Sequence, residues 1–211
     1  MIDFSLQQLG LRLLAYVFIA AIHGFAVAAT AAALGDVGPR YDGRLSANPL
    51  VHLDVIGTVS GVLFSAGWIR PIAIDPDRLR RRQHRSAFAR FALIAVVAAA
   101  SAATLAGAAV LRATRPLLLP LLTSDSVSTT AFALIETIGE QSLWFALVNL
   151  LPLPPLTGAH LVTAIHPASR DVLRRLQPYG AAAIVVLAAT GLLARMLGPF
   201  YRLLAAAVLG E

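Results

Sequence analysis

The 211 residues are 58% hydrophobic and only 13% charged, with a mean hydropathy of +0.75, whereas a soluble domain carries about 25% charged residues. Cysteine is absent, which excludes a disulfide framework and a thiolate metal site. The net charge is +6 and every one of the 17 basic residues is arginine; they lie between apolar stretches, as in cytoplasmic loops of membrane proteins, so no nucleic-acid partner is expected.

The length suits several membrane segments of about 20 residues each. Residues 1–10 lack a basic n-region and a small-residue cleavage site, so no signal peptide is expected there. The stretch 9–34 is apolar apart from Arg12 and His23 and predicts a first spanning helix, stopping at Leu34-Gly35-Asp36. A polar stretch with two turn signals, Gly38-Pro39 and Asp42-Gly43, follows. Residues 55–74 are apolar again, but Gly57, Gly61 and Gly67 interrupt them and Pro71 closes them. A re-entrant or edge-like segment fits this better than a plain spanning helix.

The run Arg78, Arg80, Arg81, Arg82, Arg85 predicts a cytoplasmic loop that touches anionic lipid headgroups. Residues 87–111, rich in alanine, predict a second span suited to close helix packing. A loop with Arg112 and Arg115 leads to a third span at 131–151, which carries Glu136, Glu140 and Gln141. A proline-bound stretch and a basic loop with Arg170, Arg174 and Arg175 come next. The last span is expected at 179–198, broken by Pro199 and followed by a segment too short to cross alone. The whole reads as one all-α membrane domain, 1–211, with about four transmembrane helices.

The residues that could carry chemistry are few. A helical zinc protease needs two histidines one turn apart and a glutamate beside the first. The first helix offers His23-Gly24-Phe25-Ala26-Val27, with one histidine and neither of the others. Alone in an apolar helix, His23 reads more readily as a buried histidine bonded to a neighbour than as a ligand.

Taken together, these segments resemble the compact bacterial branch of the site-2 protease family, intramembrane zinc metallopeptidases also described as M50-like. The family carries HEFAH on its first core helix, then GD, then GRLTLNPLAHIDPLGT. Here Gly35-Asp36 follows the His23 segment, and Gly43-Arg44-Leu45-Ser46-Ala47-Asn48-Pro49-Leu50-Val51-His52-Leu53-Asp54-Val55-Ile56-Gly57-Thr58 follows that. Gly67-Trp68-Ile69-Arg70-Pro71-Ile72 is similar to the family's GWAKPV stretch. Asn149-Leu150-Leu151-Pro152-Leu153-Pro154-Pro155-Leu156-Thr157-Gly158 is similar to NLLPIPPLDG. The resemblance implies a site-2-protease-like core over 9–166, with a C-terminal helix region at 179–209.

The resemblance also locates what is missing. Gly24 stands where the family has its general base, and Val27 and Thr157 stand at two of three zinc-ligand positions. The family's AGPLSN-like segment is replaced by alanines around Ser101 and Ala102. No catalytic residue, metal or cofactor is therefore expected. A substitute metal site would need His23, His52, Asp54 and His160 to converge.

Three functions remain open on the sequence. The first is a non-catalytic scaffold or accessory subunit in the bacterial inner membrane. It would bind transmembrane helices of other proteins through the former substrate groove, with respiratory and photosynthetic assemblies among the candidates. The second is a proton- or solute-conducting subunit using Glu136 and Glu140. The third is an intramembrane metalloprotease with a rearranged site. Both arginine loops should face the cytoplasm, so a cysteine replacing Arg82 should resist a membrane-impermeant thiol reagent added to intact cells; ready labelling would invert this topology.

Overall fold

In the computed structural model, residues 5–83, 86–118, 120 and 125–209 are described. Four helices among them are long and apolar enough to cross a membrane: Leu6–Leu34, Ala87–Leu118, Ser126–Asn149 and Pro167–Ala189. The described residues contain no β-sheet, only an isolated antiparallel bridge between Leu53 and Ile69.

Helix α1 (Leu6–Leu34) starts at a capping box. Ser5 Oγ accepts from the Gln8 amide and Gln8 Oε1 accepts from the Ser5 amide, satisfying two donors that a helix start leaves open. The helix stops at Gly35 because that residue adopts a left-handed φ of 119° and turns its amide back onto the Ala31 and Ala32 carbonyls. A short helix α2 (Gly38–Tyr41) and the Asn48-capped turn Pro49–Val51 lead to α3 (Val55–Phe64).

The 55–74 segment is half helix and half extended chain. Asp54 caps α3 by accepting from the Gly57 amide at 2.8 Å. The glycines do not interrupt the segment as their spacing suggested: Gly57 and Gly61 lie within α3 and let other groups come close. A Cβ on Gly61 would sit 2.2 Å from the Tyr16 ring. Tyr16 uses that space to donate its hydroxyl to the Trp68 carbonyl at 2.6 Å. Past Ser65 the chain returns in extended form to the foot of α4 (Pro76–Gln83).

At that foot, Asp36 is 1% exposed. Its carboxylate accepts from the Gly38 amide at 2.9 Å and the Asp75 amide at 2.6 Å, and pairs with Arg78 at 3.4 Å. Asp75 in turn pairs with Arg78 and with Arg170. The end of α1, the extended segment, α4 and the basic loop are thus joined by charge. Arg78 is spent on this cluster; the side chains of Arg80, Arg81, Arg82 and Arg85 lie outside the described residues.

Helices α5 (Ser86–Ala113) and α7 (Asp125–Asn149) flank α1, separated by the short α6 (Arg115–Leu118). The main apolar cluster joins Tyr16, Ile19, Val27 and Ala31 of α1 to Leu93, Val96 and Ala100 of α5 and Phe145 of α7. The two arginines expected in an outer loop, Arg112 and Arg115, both bind the carboxylate of Glu136. After α7 come the proline stretch, α8 (Ala159–Ile165), α9 (Arg170–Ala189) and α10 (Leu192–Val208).

The C-terminal spans differ from the expected 179–198. The helical run breaks at Gly191, where φ is +73°, a left-handed value most side chains avoid. Pro199, the expected breaker, lies inside α10. The spanning stretch therefore begins a dozen residues earlier, at Pro167, and ends at Ala189.

The Asp36 cluster makes a graded prediction. Asp36→Ala strands two buried amides and should destabilise the protein by about 3 kcal/mol; Asp36→Asn, which still accepts, should cost roughly half as much. Arg78→Gln, at a half-exposed side chain, should cost less than about 1 kcal/mol. Thermal unfolding in detergent measures all three, and equal effects would show that Asp36 is not the hub.

Candidate functional site

Three stretches converge on the middle of α1. The turn before α3 brings His52 onto Gly24, α5 brings Thr104 to His23, and the proline stretch brings Thr157 to the other side of His23. The Asn48–Asp54 and Asn149–Gly158 segments thus meet α1 at adjacent residues, as the family resemblance requires. Residues 154–158 are buried, so this part of the non-helical backbone is enclosed by protein, while Pro152 and Leu153 are exposed.

The hydrogen bonds around His23 select one tautomer of the neutral ring. Thr104 donates its hydroxyl to the Ala100 carbonyl at 2.8 Å, so its oxygen must accept from His23 Nδ1–H, 3.0 Å away. Nε2 of the neutral ring is then an acceptor, and the Thr157 hydroxyl donates to it at 2.9 Å. The ring is fully buried and packs edge-on against Phe145, with centroids 5.0 Å apart. Asn149, a candidate partner for His23 on sequence, goes elsewhere: its amide donates to the Gly67 and Phe145 carbonyls.

A zinc ion does not fit this arrangement. Catalytic zinc takes three protein ligands and keeps one open position. Here His23 is the family ligand that remains, and its Nε2 lone pair already accepts a hydrogen bond from Thr157. Val27, at a second ligand position, supplies only methyls. The general-base position is filled from outside: a Cβ on Gly24 would fall 2.2 Å from His52 Nδ1.

The residues of the substitute site do not converge. His52 donates from Nε2 to the Ser46 carbonyl at 2.8 Å, and its buried Nδ1 has no hydrogen-bond partner among the described residues. Burial lowers its pKa, against the Ser46 carbonyl, which raises it, and with the Arg44 charge, which lowers it further. Asp54 caps α3. His160 bonds the Ile72 carbonyl, and burial first, with Arg170 adding to it, brings its pKa down to about 4. Among the described residues, no three His, Asp or Glu side chains come together to hold a metal ion.

Beside Val27 and Thr157 lies a cleft of about 400 Å³. The extended chain Ile69–Ile74 forms one wall, and His160, Thr163 and the first half of α9 form the other. Thr104 was missed on sequence, because one threonine in an alanine-rich helix gives no sign of which face it occupies. The two glutamates also have partners the sequence did not reveal. Glu136 sits between Arg112 and Arg115, and the charge of Arg12 on α1 acts on Glu140.

Removing the Thr157 hydroxyl tests the hydrogen-bond chain. Thr157→Val leaves a buried imidazole nitrogen without a donor and should cost about 1–3 kcal/mol. Thr157→Ser should stay within about 1 kcal/mol of the parent in detergent unfolding. If both variants behave alike, the Thr157–His23 bond carries no weight.

Comparison with known proteins agrees with this geometry. No family model matches the chain, and no solved structure matches it. The chain is 30% identical over 181 residues to a protein of Bacillus subtilis (strain 168) described as "Putative zinc metalloprotease YwhC", covering 84% of this chain and 80% of that relative. The site that the shared segments build lacks the means to hold the metal, but the chain belongs to the bacterial M50-like zinc metalloprotease family.

Proposed function

We propose that this protein is a non-catalytic member of its family that serves as an accessory subunit in the bacterial inner membrane, binding the transmembrane helices of other membrane proteins. The observation that carries the reading is the His23–Thr157 hydrogen bond. It spends the one remaining ligand of the family site, while Gly24 and Val27 supply neither base nor second ligand.

The cleft of about 400 Å³ is lined in part by Arg70, Arg170 and Arg174, which suit an apolar partner helix poorly. The outer face of α9 and α10 is the better surface. Only 6% of the α9 spanning window is buried, and the exposed Ala182 and Ala183 offer small residues that let helices approach closely. Tyr179 and Val186 of α9 and Leu192, Met196, Phe200 and Leu203 of α10 are exposed beside them. The conducting alternative is weakened by Glu136, which is held between two arginines.

Photo-crosslinkers at Tyr179 and Met196 should capture a discrete membrane partner in native membranes, and one at Thr163 inside the cleft should not. Purified protein should contain zinc far below one ion per chain and show no chelator-sensitive cleavage of a transmembrane substrate. A lone monomer recovered from several mild detergents, without crosslinks, would remove the accessory-subunit reading; chelator-sensitive cleavage would restore the enzyme.

A further inference from the structure

The cleft changes polarity from floor to mouth. Val27, Ile72, Ile74 and Leu156 on its inner surface are each at most 6% exposed. Thr157 adds to this apolar surface, because its hydroxyl is turned onto His23. The mouth is basic. From α9 come Arg170, Leu173, Arg174 and Gln177, whose spacing of three and four residues puts them on one helix face. All four precede Pro178, where α9 passes from a charged segment to an apolar one. The mouth therefore lies at the polar end of that helix, before its apolar stretch begins.

The charges at the mouth favour an anion. Arg70, Arg170 and Arg174 face two nearby carboxylates, Asp75 and Asp171. Arg170 pairs with Asp75 at 3.2 Å. Arg174 stands 3.7 Å from Asp171, with both side chains about three-quarters exposed, a weak pairing in water. The volume of about 400 Å³ lies within the range of small-ligand sites, roughly 300–1,000 Å³.

We propose that this cleft is a lipid site that takes one acyl chain of an anionic phospholipid, the chain lying on Val27, Ile72 and Leu156 and the phosphate resting on Arg174. The ligand is single-chain in the cleft because the space is narrow, and anionic because arginine outnumbers carboxylate at the mouth. This site does not depend on which protein the chain accompanies.

The test is native mass spectrometry of the full-length protein, supplied with equal amounts of phosphatidylglycerol and phosphatidylcholine of identical chains. One phosphatidylglycerol per protein should be retained, preferred by about fivefold, the worth of one arginine near an anionic headgroup. Arg174→Gln should bring the two lipids to near parity without changing the melting temperature. Val27→Phe, which fills the floor, should abolish retention of both. Leu173→Trp should do the same from the opposite wall and answers the question if Val27→Phe does not fold. Equal retention of the two lipids, retention unchanged in both cleft-filling variants, or displacement of phosphatidylglycerol by an equal amount of palmitate would each overturn the proposal.

Discussion

One imidazole holds the centre of this molecule together. His23 joins α1, α5 and the proline stretch through two hydrogen bonds of 3.0 and 2.9 Å. A buried polar group without a partner costs more than a satisfied one gains. The two threonines are therefore as much part of the fold as the apolar cluster around them. At the position where the family has a carboxylate, a hydroxyl bonds His23. A hydrogen-bond chain runs from Thr157 through His23 and Thr104 to the Ala100 carbonyl.

The same economy governs the charged groups inside apolar helices. Glu136 and Glu140 read on sequence as a pair on one face, open to a conducting role. In the fold they face different arginines, Arg112 and Arg115 for one and Arg12 for the other. Arg12 also donates to the Val62 carbonyl at 3.0 Å near the end of α3. An arginine of the first helix thus serves both the re-entrant segment and the third span. At the opposite end of α1, Asp36 does comparable work with backbone amides. Each end of α1 is secured by a charged side chain and its middle by a neutral one.

Much of this was legible in the sequence, for physical reasons that differ by element. Long apolar runs announce spanning helices because hydrocarbon tolerates little else, and the start of α5 followed; α7 begins at Asp125, six residues before the expected 131. The family motifs announced that His52 and Thr157 would meet α1, since segments that build a site must converge on it. The glycines of 55–67 misled because spacing alone does not distinguish a glycine that ends a helix from one that makes room for a tyrosine. Gly191 was overlooked and Pro199 overrated for a related reason: a proline inside a helix loses one hydrogen bond and can stay, while a left-handed φ ends the helix outright. The partners of His23 and Glu140 were out of reach, because they are set by helix rotation, which one sequence does not encode legibly.

The packing of His52 against Gly24 bears on evolutionary history. A side chain restored at position 24 would overlap an imidazole that now fills its space. A histidine restored at position 27 would press a polar ring into the apolar cluster where Val27 is 1% exposed. An aspartate restored at position 157 would confront His23 with no second ligand to share an ion. Each of these family residues, introduced singly, would disturb packing that the present side chains satisfy, so substitutions at positions 24, 27 and 157 are constrained to occur together.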